Sequence, residues 1–357
     1  MPRVLMAMSG GIDSTVSAML LLEQGYELVG VTFRTYDSIK ESCFVREKGC
    51  CSVESIMEAK NMAKQLGFEH HILDFRQTFK DHVISNFVDE YMHGRTPNPC
   101  VLCNSHIKWG ELIKAADEYN CDFIATGHYA RIAQNNGHYY LQTAADEKKD
   151  QTYFLWMLTE ENLKHTIFPL GGLLKTQVRE IAATKGYIKL SEKKESQEIC
   201  FVPDNNYRTF LEQQGCSFSE GNYIDKDGKV LGKHQGYPNY TIGQRKGLGI
   251  ALGSPKFVVN INAEKNEVTL GEREDLLKTC LVAENCRIRD IDWLKQSPQV
   301  KARIRYKSAP VDAQITMNNS SITLNFSQHV WGITPGQSVV MYKDNLVVGG
   351  GIIINSI

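Results

Sequence analysis

Five apolar residues, Val4–Met8, run directly into Ser9-Gly10-Gly11-Ile12-Asp13-Ser14 and from there into a helical stretch. A strand that hands over to a helix through two adjacent glycines has few options. Glycine permits the tight turn, and the first amides of the helix, which have no partner inside it, are left pointing where they can hold an anion. Apolar strand and helical stretch go on alternating: Leu28–Thr32, a helix through Ile56–Leu66, His70–Asp74, a helix around Val83–Met92, and Phe123–Thr126. This is the pattern of an α/β domain with a doubly wound, mostly parallel sheet. Ligands of such sheets bind beyond the carboxyl ends of the strands. Both Ser9–Ser14 and Thr126-Gly127-His128 fall at that edge.

From about Tyr223 the texture changes to short β-like runs with turn signals between them, Asp227-Gly228, Tyr240-Thr241-Ile242-Gly243 and Lys265-Asn266. After Cys280, five strands are expected at Val300–Tyr306, Ala313–Met317, Ser321–Phe326, Ser338–Tyr342 and Val347–Ile353. That number suits a small barrel, although strand count alone does not separate a barrel from a sandwich. A chain of 357 residues exceeds one ordinary domain. Three are expected: a catalytic domain over 1–203, a small β-rich central domain over 204–276 and a C-terminal β-barrel over 277–357.

Neither a secretory leader nor an apolar run near the roughly 20 residues that span a bilayer is visible, so a cytoplasmic protein without a membrane partner is expected. Formal net charge is -1, which excludes a strongly basic footprint but leaves room for a local basic face. On the expected strand at Val300–Tyr306 and just past it, Lys301, Arg303, Arg305 and Lys307 alternate onto one side, as a phosphate track or a solvated face would.

The glycine loop lacks the Gly-Lys-Ser/Thr ending of a Walker loop, and with it the usual lysine on the terminal phosphates. Ser9 and Ser14 can donate hydroxyls to phosphate, and Asp13 can support magnesium or fix the turn. The pattern resembles instead the pyrophosphate loop of the ATP pyrophosphatases, which implies adenine along the strand edges near Val31, Phe33 and Gly127. The plain alternative is an ordinary Gly-Gly turn.

Ten cysteines in a reducing compartment are mostly thiols, and a disulfide there is transient and catalytic rather than structural. Thr96-Pro97-Asn98-Pro99 should be extended, with Cys103-Asn104-Ser105 opening a helix whose dipole favours the Cys103 thiolate. The Cys100 to Cys103 spacing also fits half of a zinc site completed by Cys50 and Cys51, or a dithiol redox pair; Cys50-Cys51 alone fits buried structural thiols. Cys200 follows the charged stretch Glu192–Glu198, an exposed loop suited to a carrier thiol, though a thiol packed inertly between Ile199 and Phe201 has the same sequence.

Taken in order, the glycine loop, Thr96-Pro97-Asn98-Pro99 with Cys103-Asn104 and Ile107-Lys108, Ala125-Thr126-Gly127-His128-Tyr129, Asp150-Gln151-Thr152-Tyr153, Ile199-Cys200-Phe201 and Tyr240-Thr241-Ile242-Gly243-Gln244-Arg245-Lys246-Gly247-Leu248-Gly249 resemble the tRNA-specific 2-thiouridylases, the MnmA family of the ATP pyrophosphatases. The resemblance implies a pyrophosphate-loop domain like the adenine nucleotide alpha hydrolases, a central tRNA-binding domain and a C-terminal barrel. It implies a sulfurtransferase that uses ATP and Mg2+ to activate the anticodon wobble uridine of tRNA and then places sulfur on its C2. The sulfur would come from a persulfide donor protein, a cysteine desulfurase or a sulfur-relay protein.

Carried over residue by residue, Cys103 is the nucleophile and Cys200 the persulfide carrier. Ala7, Met8, Ser9, Gly10, Gly11, Ile12, Asp13, Ser14, Phe33 and Gly127 meet the nucleotide, and Asn98, Pro99 and Cys100 meet the target base. Asp150, Gln151, Thr152, Gln244, Arg245, Lys246, Arg305 and Tyr306 bind tRNA, with His128 and Gln337 as further tRNA-interaction sites. Many relatives have Asp where this chain has Cys100, which leaves base assistance to Cys103 unassigned. Two other readings compete: an ATP pyrophosphatase that amidates a small molecule, and an RNA-binding protein stabilised by zinc on Cys50, Cys51, Cys100 and Cys103.

Overall fold

A computed structural model describes residues 1–36, 53–193, 199–202, 206–318 and 320–357. Cys50, Cys51 and 194–198 of the charged stretch lie outside the described residues. The chain forms two compact units. One comprises Met1–Ile84, Cys100–Asn205 and Asn345–Val347; the other comprises Ser85–Pro99, Asn206–Asp344 and Val348–Ile357.

The first unit is built on β1 (Arg3–Ala7), β2 (Glu27–Arg34), β3 (Glu69–Asp74), β4 (Phe123–Ala125), a hairpin of β5 (Arg131–Asn135) and β6 (His138–Gln142), and the short β7 (Thr166–Ile167). Its five-stranded sheet runs β3-β2-β1-β4-β7, every pair parallel. Order reverses at β1: the chain winds outward through β2 and β3, then returns to the other side of β1 for β4 and β7. That reversal opens a crevice at the carboxyl ends of β1 and β4. The expected strands of this half are all present, each within about two residues of its expected bounds.

Continuous apolar runs of this kind suit strands covered on both faces. Val4, Leu5 and Met6 of β1 are 0 % exposed. Helix α1 (Ile12–Glu23) leaves the glycine loop and is buried on two sides. On one, Ala18 and Leu21 join Val4, Met6, Ala125 and the small Ala59 and Ala63 of α2 (Val53–Leu66); on the other, Ile12 and Val16 pack with Tyr129, Leu170 and Val178 of α3 (Lys175–Thr184).

In the second unit, β8 (Gly221–Ile224), β9 (Val230–His234), β10 (Phe257–Asn262) and β11 (Glu267–Gly271) form a mixed sheet in the order β10-β11-β8-β9. Next come β12 (Leu277–Ile288), β13 (Gln299–Arg303), β14 (Val311–Met317), β15 (Ser321–Trp331), β16 (Ser338–Lys343) and β17 (Leu346–Ser356). They run in the order β12-β15-β14-β13-β16-β17, and antiparallel pairing of β12 with β17, from Leu281 opposite Ser356 to Ile288 opposite Gly349, closes the ring. The barrel therefore has six strands where five were expected, and closure leaves it without an edge. Strand β13, expected at Val300–Tyr306, ends at Arg303, three residues early, so the alternating track through Arg305 and Lys307 is not formed. Arg305 folds back instead, donating to the carbonyl of Gly332 and to Thr334 Oγ1 at 2.6 Å each. Among the described residues no helix is long and apolar enough to cross a membrane.

Leu5→Ala, at 0 % exposure in the central strand, is expected to cost about 2–5 kcal/mol. Ile72→Ala, at 49 % exposure on the edge strand β3, is expected to stay within about 0.5 kcal/mol. Equilibrium urea unfolding of the two variants checks the difference.

Candidate active site

The glycine loop turns at the carboxyl end of β1, where Gly10 adopts φ +70° and a Cβ on it would stand 2.5 Å from the carbonyl oxygen of Ser55. Gly11 precedes α1 in extended conformation and gives no side-chain cap, so no side chain occupies the helix's opening amides. Ser14, 4 % exposed, accepts from the Ser9 amide at 3.2 Å and donates to the Gly11 carbonyl at 3.1 Å. Ser14 was expected as a phosphate donor; its hydroxyl is used to hold the loop's shape, while Ser9 is exposed at the mouth. Gly127, after β4, comes so close that a Cβ would lie 2.8 Å from the Ser14 amide nitrogen. The two loops at the sheet's reversal therefore touch backbone to backbone.

Asp13 has partners that nothing in the local sequence indicates. Its carboxylate accepts from Lys175 Nζ at 2.7 and 2.8 Å and from the Tyr129 hydroxyl at 2.8 Å. Lys175 is 7 % exposed, opens α3, and lies 5.7 Å from the centre of the Tyr129 ring. A cation absent from the loop is thus supplied 162 residues later. Of the two roles weighed for Asp13, this geometry displays the one that fixes the turn. Among the described residues no cluster of three or more His, Cys, Asp or Glu is placed to hold a metal.

The cysteine segment departs from expectation. A helical turn forms over Pro99–Leu102, and Cys103–Trp109 continues it as a π-helix before the α-helix Gly110–Glu118. The helix begins at Pro99, whose missing N–H costs nothing there. Cys103 thus lies one turn inside it, and the dipole argument made for Cys103 belongs to Cys100. π-helical turns are uncommon and gather at functional sites. This one is pinned from behind: Trp109, 0 % exposed, donates Nε1–H to Thr166 Oγ1 at 2.8 Å, and Asn104 donates to the Phe154 carbonyl at 3.0 Å. Asn104 Oδ1 is buried with no partner among the described residues.

On the same segment Lys108 reaches His128. Lys108 Nζ lies 3.3 Å from His128 Nε2, and His128 Nδ1 lies 2.8 Å from Thr126 Oγ1. Burial first, and the Lys108 charge second, push the His128 pKa well below the usual histidine range, so the ring is neutral at neutral pH. A neutral ring accepts from Lys108 at Nε2 and therefore donates from Nδ1 to Thr126. Cys100 is exposed, yet protein crowds it on most sides. That crowding raises its thiol pKa, and Lys108 opposes the rise.

Cys200 is exposed on a turn whose next residue, Phe201, is 2 % exposed. Phe201 stands edge-on to Phe79 and to Tyr36, at ring-centre distances of 5.5 and 6.4 Å. The short helix of Phe79, Arg76–Phe79, packs against the Cys103 segment, and a π-helical turn that follows it, Lys80–Ile84, brings His82 to stack on His106 at 4.8 Å. Phe201 is an anchor that the sequence reading assigned no role.

Other expected site residues are occupied within their own units. Asp150, 2 % exposed, accepts from the Ala144 amide and the Thr152 hydroxyl, and Gln151 accepts from the Tyr129 amide. Arg305, besides its bonds to Gly332 and Thr334, lies over the Trp331 ring, and Tyr306 follows it in the same bend. Gln337 donates to the carbonyls of Thr96 and Pro97 at 3.0 Å each, holding the strand of chain that leads to Asn98 and Pro99. Gln244 bonds back to its own turn, whereas Arg245 and Lys246 are exposed beside a cavity of about 490 Å³ lined by Gly247, Ile250 and Lys256.

Family models described as tRNA methyl transferase HUP domain, tRNA methyl transferase PRC-barrel domain and Aminomethyltransferase beta-barrel domain match residues 2–204, 208–272 and 283–353. A protein of Cytophaga hutchinsonii named tRNA-specific 2-thiouridylase MnmA is 47 % identical over 99 % of this chain and 98 % of its own. Proteins of the same name from Amoebophilus asiaticus and Clostridium perfringens are 46 % and 47 % identical, each over 98 % of this chain and over 94 % and 98 % of their own. On identity of this level along nearly the whole length, the chain belongs to the tRNA-specific 2-thiouridylase family, MnmA.

Proposed function

We propose that this protein is a tRNA-uridine 2-sulfurtransferase that activates C2 of the wobble uridine with ATP and replaces its oxygen with sulfur carried on Cys200. The observation that carries the reading is one unit holding an uncapped glycine loop at the sheet's reversal, a pinned helical cysteine, Cys103, and an exposed cysteine, Cys200, on an aromatic anchor. Methyl transfer or amidation has no use for a carrier thiol.

The chemistry explains the parts. The C2 oxygen of uracil is a poor leaving group and must be activated before sulfur can attack. The uridine is turned out of its stack, at modest cost in an anticodon loop. Its O2 attacks the α-phosphate of ATP and pyrophosphate leaves. The amides that open α1, Ser9 and Lys175 surround the phosphates and supply the charge a Walker lysine would give, while Gly127 and Phe33 border the adenine. The loop fits this substrate because its glycines leave space where a Cβ would intrude. Mg2+, when bound, would neutralise phosphate charge, and Asp13 is the loop carboxylate that would face it.

In one route the terminal persulfide sulfur on Cys200 attacks C2, adenylate departs, and Cys103 then attacks Cys200 Sγ, breaking the S–S bond and leaving sulfur on C2; in the other, Cys103 attacks Cys200 Sγ first and the freed hydrosulfide attacks C2 as adenylate departs. Both routes leave a Cys103–Cys200 disulfide. Asn98, Pro99 and Cys100 receive the base, His128 and Gln337 orient the RNA or the chain around it, and the exposed Arg245 and Lys246 meet phosphates. Asp150, Gln151, Thr152, Arg305 and Tyr306 contribute to tRNA binding by shaping backbone. A division at 1–203, 204–276 and 277–357 assigns catalysis and the contacts to the target base to the first part, with further RNA contacts from all three.

Incubation of unmodified tRNA with the protein, ATP, Mg2+ and a persulfide donor protein, without free sulfide, is expected to yield 2-thiouridine by nucleoside mass spectrometry. Cys103→Ser and Cys200→Ser should each lower the yield by about 10³-fold or more. Full thiolation by Cys200→Ser would sink the scheme. For the nucleotide site, Lys175→Met is expected to weaken ATP binding in equilibrium dialysis by about tenfold, some 1.4 kcal/mol. Lys185→Met, which loses only a surface pair with Glu23, should leave it unchanged.

A further inference from the structure

Resting on the function proposed above, we propose that Lys108 is a catalytic residue of the adenylation step: its ammonium, held on the His128 ring, meets the non-bridging oxygens of the α-phosphate as the uridine O2 attacks. Lys108 stands between two parts of the first unit that the reaction must join. On one side its Nζ lies 3.3 Å from His128 Nε2. His128 directly follows Gly127, where a Cβ would lie 2.8 Å from the Ser14 amide nitrogen of the glycine loop. On the other side Lys108 is near enough to Cys100 for its charge to oppose the rise in that thiol's pKa. A short chain of contacts therefore leads from the anion loop through Lys108 to Cys100, one of the three positions expected to meet the target base.

The way the lysine is held points to a ligand. Its partner is a neutral ring, kept so by burial first and by the Lys108 charge second. That ring is fixed in turn: Nδ1 lies 2.8 Å from Thr126 Oγ1, and the ring centre lies 5.6 Å from that of Trp109 and 6.5 Å from that of Phe168. His128 is thus a positioning residue for Lys108. Lys108 itself is half-buried, and among the described residues no carboxylate pairs with it. A lysine drawn partly out of water for stability alone is normally given a carboxylate, because lost solvation disfavours the charge. Here the pair carries a net positive charge, which an anion offsets. Lys175 does not fill this place, because both oxygens of Asp13 hold it at the first turn of α1.

The step balances. Uracil O2 gives an electron pair to the α-phosphorus, the bond from that phosphorus to the oxygen bridging it to the β-phosphate breaks, its pair leaves with pyrophosphate, and the uracil N3 proton passes to water. Lys108 transfers no proton and no group. Its contribution is electrostatic: while one oxygen enters and another leaves, the non-bridging oxygens hold charge that a fixed cation stabilises more in the transition state than in bound ATP. An ammonium on an immobile ring needs no rearrangement as that charge develops.

The test reads adenylation by itself: full-length protein without persulfide is mixed with ATP, Mg2+ and unmodified tRNA, and pyrophosphate released in the first turnover is followed by rapid quench. Lys108→Met and Lys108→Gln, of which the second keeps an N–H donor without the charge, are each expected to slow that turnover about 10²-fold. Their Kd values for ATP and for tRNA should stay within about threefold of wild type. Lys114→Met, which loses only a surface pair with Glu111, should match wild type. Turnover by either Lys108 variant within about threefold of wild type, or a loss of ATP or tRNA affinity that accounts for the lost rate, overturns the inference; the sulfurtransferase reading then stands if wild type makes 2-thiouridine with a donor. If wild type releases no pyrophosphate with tRNA, both fall. Should the variants not fold, wild type decides the matter with the two diastereomers of ATP that carry sulfur at a non-bridging α-oxygen. One is expected to react about tenfold more slowly than the other, and equal rates overturn the inference.

Discussion

The ion pair between Asp13 and Lys175 is the constraint on which the nucleotide end of the molecule depends. It ties the first turn of α1 to the start of α3, with the Tyr129 hydroxyl bracing the same carboxylate. A pair at this depth costs desolvation that only good geometry repays, and removal of one partner strands the other. Here the geometry is good, with two Lys175 bonds and one Tyr129 bond on a single carboxylate. The glycine loop is therefore held in shape next to a fixed cation. Preorganisation of that kind is what makes an anion site effective.

The cysteine end follows a different logic. Cys103 stands on a π-helical wall that a buried tryptophan and a buried asparagine hold in place. Cys200 rides on a short turn whose Phe201 packs edge-on against Phe79 and Tyr36. One thiol is half-buried on a pinned helical segment and the other is exposed. Beside them, Lys108 Nζ lies 3.3 Å from the neutral His128 ring, and Lys108 opposes the rise that burial causes in the Cys100 thiol pKa.

Much of the fold was legible in residue order, because strands covered on both faces must be continuous apolar runs and the connecting helices must be periodic. β1 to β4 could be read in this way, and so could the glycine loop at the reversal point. The two-residue β7 carries too little pattern to be seen. The barrel's first strand, Leu277–Ile288, alternates buried and exposed positions only in part, and it becomes recognisable through its pairing with both β15 and β17. Arg305 read as the next step of a basic strand; what ended the strand was a pair of acceptors at Gly332 and Thr334, which are distant in sequence.

By itself, then, the sequence determined the α/β class, the place of the glycine loop and the family, since each depends on local pattern or on motif order. Tertiary structure decided what those residues have to work with. It brought Lys175 to Asp13 across 162 residues, assigned Ser14, Asp150 and Gln337 to holding backbone, and closed the barrel. It also started the cysteine helix at Pro99 rather than Cys103, so that Cys100 and Cys103 lie on one turn. The physical reason is common to all of these: burial, charge pairing and ring closure are satisfied between residues remote along the chain, and no local pattern records which remote partner satisfies them.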